Sequence, residues 1–322
     1  MIKNKSIETN FELVFKLIYF AFTLMSFNAF CARQFYISYI SYAVVFFGAI
    51  VIINRLTHLK DYLNVNIYLM MAFVVSYGIS SLTVLRYGIM ENFQGMIWMA
   101  IQYFAVFAFD KHKDKGLVNK EFEVILYFFL AYTFVMAVAG LVMMFVGFGF
   151  FKIVEVKYII AGGFIWNRLY GGYMDPNYGA VFCISSILTS LYFLSKTKAK
   201  WFKVFLVLNI IVEYWHIACS DSRTGLVAIF AAFLIYISLL LIKKGKKAFI
   251  AVSLAIVVSV ALAGGAVALQ KGTSFVNAKI TMNRLVNAGY SEEEIAYMLD
   301  LERIGRLDEE INNGDVSNNR FA

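Results

Sequence analysis

The sequence predicts an all-α polytopic membrane protein, a transmembrane helix bundle with an extracytoplasmic helical loop. Of its 322 residues, 61% are hydrophobic and 16% are charged, and the mean hydropathy is +0.71. Soluble domains carry about 25% charged residues, so lipid must be the solvent for much of this chain. The single proline predicts largely unbroken helices. The three cysteines lie in apolar runs and are interpreted as packing residues, because an odd, buried set does not form a disulfide framework.

Nine apolar runs are long enough to cross a bilayer, which takes about 20 helical residues. The first is too long for the core of a signal peptide and lacks a small-residue cleavage site, so it is interpreted as an anchor. The predicted spans are 11–31, 35–54, 66–85, 92–109, 122–146, 177–194, 204–220, 225–242 and 248–269. These spans place a transmembrane bundle over 1–269 and an extracytoplasmic loop segment over 270–322.

The connections between these spans alternate in charge. Sixteen lysine and arginine residues lie in the N-terminus and alternate loops, and six lie in the short loops on the other side. Cytoplasmic loops carry the excess of positive charge, so the N-terminus is predicted to be cytoplasmic and the chain to be a multi-pass protein of a plasma membrane. Clusters between apolar runs also differ from the continuous basic face that binds nucleic acid, so no nucleic-acid partner is expected.

The first long outside segment covers residues 147–176. It is predicted to lie along the membrane interface, with Trp166, Tyr170 and Tyr173 at headgroup depth. At its end, Asp175 suits the N-cap of the sixth span and Pro176 suits the first helical position. A helix that begins there directs free N–H groups outward, which favours an anion.

The second outside segment contains a predicted amphipathic helix. Ser291 and Glu294 have the spacing of a capping box, and Gly314 follows as a stop signal. The apolar stripe consists of Ile295, Met298, Leu299, Leu307 and Ile311. This helix either rests on the bundle or clamps a substrate.

The seventh span carries the polar residues Glu213, His216 and Ser220 on one helix face. A glutamate so deep in a span indicates either a functional site or a structural pair with a buried donor. His216 is either a general base reachable from outside or a packed neutral side chain. The sequence has no nucleotide-binding or zinc motif, and we expect no cofactor and no metal site.

Two stretches together resemble the O-antigen ligase and polymerase family of bacterial envelope membrane proteins. The first, "RLYGGYMDPNYGA", contains Arg168, Gly171 and Asp175–Asn177, and the second, "SDSRTGLVAIFAAF", contains Ser222–Gly225. Their order, their spacing of about 45 residues and their shared predicted outside location carry the resemblance, which covers about residues 120–322.

The resemblance implies extracytoplasmic glycosyl transfer for O-antigen or capsule synthesis, with a polyprenyl-pyrophosphate-linked oligosaccharide as donor. A polymerase is preferred over a ligase, although no residue here decides between the two. Membrane lipid and other polysaccharide-assembly proteins are the further partners implied. The expected catalytic residues are Arg168, Arg223 and Arg320, and the expected substrate-binding residues are Asp175, Asn177, Glu213 and His216.

The resemblance also implies further spans and a histidine-bearing loop after the last residue, so the chain is expected to be C-terminally truncated. An inactive remnant is therefore one alternative. A transporter or flippase of lipid-linked sugars is another, but such proteins have internal repeats and midplane charges that are sparse here. Only Lys16 and Glu213 stand out within spans, and Lys16 is expected to snorkel to the cytoplasmic surface.

Overall fold

The computed structural model describes residues 2–32, 34–83, 88–108, 110–155, 158–165, 167–287, 289–291 and 293–294. Helices dominate these ranges. They are α1 (Ile2–Ser26), α2 (Phe35–Thr57), α3 (Leu59–Tyr62), α4 (Val65–Thr83), α5 (Ile89–Ala100), α6 (Lys115–Val146), α7 (Pro176–Lys196), α8 (Lys200–Cys219), α9 (Arg223–Lys243) and α10 (Ala248–Asn287). The strands are β1 (Gly149–Glu155), β2 (Tyr158–Ile165) and β3 (Arg168–Gly171).

Seven of the described helices are long and apolar enough to cross a membrane, namely α2, α4, α6, α7, α8, α9 and α10. This confirms a polytopic helical membrane protein, whereas the count of nine spans stays a prediction. The predicted span 92–109 is divided between the 12 residues of α5 and a π-helical segment, Ile101–Phe107. In α1, the charged residues Lys3, Lys5, Glu8, Glu12 and Lys16 lower the hydropathy of the segment.

The chain forms two compact units. The first unit contains residues 1–26 and 31–127, and the second contains 27–30 and 128–322. In the first unit the apolar core joins α1, α2 and the π-helical segment through Phe15, Val44, Val51, Ile101 and Ala105.

The first unit also buries a cluster of charged side chains, which we call the ion-pair cluster. Glu12 accepts a hydrogen bond from Nε of Arg55 at 3.0 Å, and Glu121 accepts one from Nζ of Lys113 at 2.6 Å. Lys16 lies 3.5 Å from the carboxylate of Glu121. Lys16 therefore has a carboxylate partner inside the unit, and its snorkelling to the cytoplasmic surface stays a prediction.

In the second unit, α7, α8, α9 and α10 pack around a common apolar core that includes Cys183, Ile187, Ile217, Ile229 and Ala266. Polar contacts supplement this core. Tyr214 of α8 donates to the carbonyl of Leu262 in α10 at 2.6 Å, and Nε1 of Trp215 donates to Thr273 at 3.0 Å. Cys183 packs in this core as interpreted, and its thiol also lies 3.6 Å from Nδ1 of His216.

A small antiparallel sheet of order β1–β2–β3 lies in the segment predicted to follow the membrane interface. The all-α prediction missed these strands. Tyr170 and Tyr173 are buried, with 6% and 0% exposure, so the prediction that they lie among lipid headgroups was wrong. Their rings supply core area instead, since Tyr173 stacks on Phe182 at a ring distance of 5.5 Å. Trp166 lies outside the described residues.

Helix α1 ends at Ser26, so it is shorter than the span predicted for 11–31. The next residues, Phe27–Phe30, form backbone hydrogen bonds with the segment that follows β3. The amide of Ala29 donates to the carbonyl of Gly172 at 2.7 Å, and the amide of Met174 donates to Phe27 at 3.2 Å. These bonds and the isolated bridge between Asn28 and Tyr173 hold the segment between β3 and α7 in place.

At the other end of the unit, α10 continues 18 residues beyond the predicted limit of 269. The predicted capping box is confirmed, because Ser291 donates to Glu294 from its amide at 2.8 Å and from its hydroxyl at 3.0 Å. These bonds to the ionised carboxylate lower the pKa of Glu294. The predicted apolar stripe after Glu294 lies outside the described residues.

Candidate functional site

The starts of α7 and α9 are joined by a buried hydrogen bond. Asp175 caps α7 as predicted, because its carboxylate accepts from the amide of Asn177 at 2.6 Å. Ser222 caps α9 by accepting from the amide of Gly225 at 2.9 Å. The hydroxyl of Ser222 donates to Oδ1 of Asn177 at 2.6 Å, with both side chains buried. The two sequence motifs therefore form one structural site, with two helix N-termini side by side.

Arg168 lies against the turn that precedes α9. It begins β3, its side chain is partly exposed, and its Nε approaches the carbonyl oxygen of Ser220 at 3.5 Å. The next residue of the turn, Asp221, has a left-handed backbone with φ of 50°. Arg223 follows as the first residue of α9 and is exposed. Both arginines thus belong to the surface around the two joined helix starts.

His216 is fully buried behind this surface, in a cradle of glycines. A methyl group added to Gly140 of α6 or Gly171 of β3 would lie 2.9 or 2.7 Å from Nε2 of His216. The imidazole Nδ1 lies 3.6 Å from Sγ of Cys183, and the ring meets Tyr173 edge-on at 5.8 Å. The glycines let a strand and two helices approach the ring, so His216 lies within packed structure and does not reach the surface as predicted for a general base.

Tyr173 completes the cover over His216. Burial raises the pKa of its phenol well above the ordinary value. Its hydroxyl has no hydrogen-bond partner within the described ranges. Tyr173, which was predicted to lie at the depth of the lipid headgroups, is instead fully buried and packs against His216.

Glu213 lies one helical turn further from the end of α8 than His216, and it is also fully buried. Cys183, Ser186 and Thr133 lie close to its carboxyl group, although none of them makes a hydrogen bond of standard geometry with it. Among the residues that the structure describes, both carboxyl oxygens are without a partner. Three donor-bearing side chains therefore lie beside the carboxyl group of Glu213, and both interpretations of this residue stay predictions.

A buried network of hydroxyl and amide groups continues from Glu213 along α7 and α8. Nδ2 of Asn209 donates to the hydroxyl oxygens of Ser186 at 2.9 Å and Ser190 at 2.8 Å. Thr133 lies 2.8 Å from the same Ser186 oxygen. This network was not predicted from the sequence. A signal for it exists, because Ser186 and Ser190 are four residues apart on α7, and Asn209 and Glu213 are four residues apart on α8, so each pair shares one helix face.

The predicted site residues therefore fall into two groups. Arg168, Asp175, Asn177 and Arg223 belong to the joined helix starts, while Glu213 and His216 lie in the buried interior. Arg320 lies outside the described residues. Within the described chain, no group of three or more His, Cys, Asp and Glu side chains is placed to hold a metal ion.

These features define a multi-pass membrane protein with a polar site at the start of two adjacent helices. A scan against protein-family models gave no match, and neither curated proteins nor solved structures showed significant similarity to the chain. The function must therefore be argued from the site itself and from the resemblance of its two motifs.

Proposed function

We propose that this protein transfers glycosyl groups from a polyprenyl-pyrophosphate-linked oligosaccharide to a sugar acceptor on the extracytoplasmic side of a bacterial membrane. The observation that carries the proposal is the hydrogen bond from Ser222 to Asn177. It joins the two sequence stretches that together resemble the O-antigen ligase and polymerase family. We prefer a polymerase of O-antigen or capsule repeat units over a ligase.

The chemistry of such a transfer needs positive charge at the leaving group. The acceptor hydroxyl attacks the anomeric carbon, the bond to the pyrophosphate oxygen breaks, and negative charge develops on the departing pyrophosphate. Donors that are held in place before the reaction stabilise this charge most effectively. Arginine suits the role because its planar fork binds two phosphate oxygens at once.

The joined helix starts supply two such arginines and two helix N-termini. Each N-terminus carries about half a positive elementary charge, which favours a bound phosphate, although the carboxylate of Asp175 already offsets this charge at the start of α7. Arg168 and Arg223 are accordingly assigned to the pyrophosphate. Arg320 remains a further candidate from the resemblance alone.

Asp175 and Asn177 are assigned to positioning. The carboxylate of Asp175 holds the amide of Asn177, and the carbonyl oxygen of Asn177 holds Ser222. Because Glu213 and His216 are fully buried, we propose no direct contact between them and the sugar in this conformation.

The test uses the gene that encodes this chain in its own host, with Arg168→Gln and Arg223→Gln variants. Each variant is expected to abolish long-chain glycan while the protein still inserts in the membrane, and lipid-linked units should accumulate on the outer leaflet. Arg284→Gln is the matched control, since Arg284 is an arginine of the same unit that belongs to neither motif and donates to the carbonyl of Phe145.

Normal glycan lengths in both arginine variants would overturn the assignment. Retention of lipid-linked units on the cytoplasmic leaflet would instead favour the flippase alternative, because it shows that transport and not polymerisation has failed. Leaflet location is measured by the access of a periodate label to the sugars in intact cells.

A further inference from the structure

The first motif stretch, residues 168–180, folds over one fully buried side chain, His216 of α8. A methyl group added to Gly171 would lie 2.7 Å from Nε2 of the imidazole. One added to Gly179 would lie 3.3 Å from Cε1, and the ring of Tyr173 meets the imidazole edge-on at 5.8 Å. The stretch therefore packs on the imidazole at three points along its length.

The site residues of this stretch lie close to those three points. Arg168 begins β3, and Gly171 ends the same four-residue strand. Asn177 belongs to the first turn of α7, and Gly179 follows two residues later. Because a short strand and a helical turn each move as a unit, a shift of the backbone at either glycine also moves the neighbouring site residue.

The imidazole is enclosed from other directions as well. A methyl group added to Gly140 of α6 would lie 2.9 Å from Nε2 of His216 and 3.1 Å from Cα of Gly171. On the side of α7, Nδ1 lies 3.6 Å from Sγ of Cys183. Protein interiors are packed as densely as organic crystals, so a side chain enclosed in this way transmits a displacement to its neighbours. The ring thus acts as a spacer between α6, β3 and α7.

His216 also supports the turn that leads into the second motif. Its backbone carbonyl accepts a hydrogen bond from the amide of Ser220 at 2.9 Å, and the carbonyl oxygen of Ser220 lies 3.5 Å from Nε of Arg168. Ser222, which caps α9, follows two residues later. His216 therefore connects the two motifs from the interior, in addition to the hydrogen bond from Ser222 to Asn177.

We propose that His216 is a positioning residue, whose imidazole sets the spacing of β3 and α7 and so aligns Arg168 with the joined helix starts. It is fully buried and acts through the backbone that it supports. This role rests on the proposed function, because the alignment matters only if Arg168 binds the pyrophosphate. Alignment has a large effect in catalysis, since a misplacement of about 1 Å lowers a rate about 100-fold.

The test combines two measurements on the purified protein in lipid nanodiscs. Amide hydrogen exchange reports the packing of residues 168–180, and isothermal titration calorimetry reports the affinity for farnesyl pyrophosphate, a short-chain prenyl pyrophosphate. His216→Ala should speed exchange in that stretch and weaken binding about 10-fold, because one charge-assisted contact to the phosphates is misplaced. His216→Gln should retain most of the affinity, since a glutamine amide extends about as far as Nε2.

Asn209→Ala is the matched control, because Asn209 is fully buried on the same helix and donates to Ser186 and Ser190, which lie outside the stretch. It should lower the unfolding temperature to a similar extent as His216→Ala. Exchange in residues 168–180 and the affinity for farnesyl pyrophosphate should stay as in wild type. The control thereby separates positioning from stability.

If His216→Ala does not fold, Gly140→Ala tests the same spacing from the opposite side. This variant keeps the imidazole and places a methyl group 2.9 Å from Nε2 of His216, so it pushes the ring and Gly171 away from α6. It should also weaken the binding of farnesyl pyrophosphate.

Wild-type affinity in His216→Ala would overturn the proposal, whether or not exchange becomes faster, because the imidazole would then serve packing alone. An equal loss of affinity in Asn209→Ala would also overturn it, by showing that any destabilisation of α8 has this effect. If wild type itself does not bind farnesyl pyrophosphate, the glycosyl-transfer proposal fails. The exchange of residues 168–180 then decides by itself whether the imidazole positions the stretch.

Discussion

The two units of this protein differ in whether their buried carboxylates have ion-pair partners. In the first unit, Glu12 and Glu121 are paired with cations from three other positions, and the ion-pair cluster is nearly self-contained. Its one exception in the described chain is Nη2 of Arg55, which has no partner. In the described part of the second unit, Glu213 is buried without a salt-bridge partner, beside the side chains of Cys183, Ser186 and Thr133.

This difference separates a structural role from a binding role. Buried charges that neutralise one another need no ligand. Removal of one partner lowers the stability of the fold, because the other charge stays buried without compensation. Glu213 has no counter-charge among the described residues, so removal of its carboxyl group leaves no buried cation behind. The comparison therefore assigns the ion-pair cluster to folding, while ligand binding by the second unit stays a proposal.

The largest expected effect comes from breaking the ion-pair cluster. Glu12→Ala leaves the guanidinium of Arg55 without its carboxylate and should lower the free energy of unfolding by about 3–5 kcal/mol. The loss is measured by denaturant unfolding in mild detergent. Lys111→Ala is the control, because Lys111 is exposed and its Nζ donates to the carbonyl of Lys60.

If Glu12→Ala costs no more than that control, the cluster does not stabilise the first unit and the comparison fails. A cost that disappears in high NaCl would show that ions from solution substitute for the lost carboxylate. In that case, pairing in the structure would not distinguish the two units.

A smaller effect is expected from packing around His216. Gly171→Ala places a methyl group 2.7 Å from Nε2 of His216 at a backbone φ of 60°. Left-handed backbone costs an alanine about 1–2 kcal/mol, and overpacking adds about 1–3 kcal/mol. Gly245→Ala isolates the first contribution, since its φ is 82° and no atom lies within 4 Å of the added group.

Unfolding of the two variants gives the packing contribution by difference. Equal losses would mean that His216 moves away freely, so the glycine cradle does not fix it. A greater loss for Gly171→Ala would show that the buried interior of the second unit is rigid.

The sequence predicted the helical membrane class and the start of α7, because both follow from local signals. Apolar length defines a span, and the order Asp175, Pro176, Asn177 defines a helix cap. The capping box at Ser291 was predicted for the same reason. The sheet was not, because its strands are short and their pairing with one another is a tertiary property.

The buried network shows why the interior was harder to predict. Asn209 and Glu213 mark a polar face on α8, but the sequence does not reveal that Ser186 and Thr133 come to meet it. Likewise, Tyr173 is of a residue type that is enriched at membrane interfaces, and it is buried here because Phe182 and His216 pack against it. Contacts between distant segments decide these cases.

The most direct test of the assignment is the binding of a short-chain prenyl pyrophosphate to the purified protein in nanodiscs, measured by isothermal titration calorimetry. Arg168→Gln and Arg223→Gln should each weaken binding about 10-fold or more, because each removes a charge-assisted hydrogen bond to the phosphates. Lys113→Gln in the ion-pair cluster should leave the affinity of the folded protein unchanged. Equal affinity in wild type and both arginine variants, or a loss confined to Lys113→Gln, would contradict the assignment of ligand binding to the second unit.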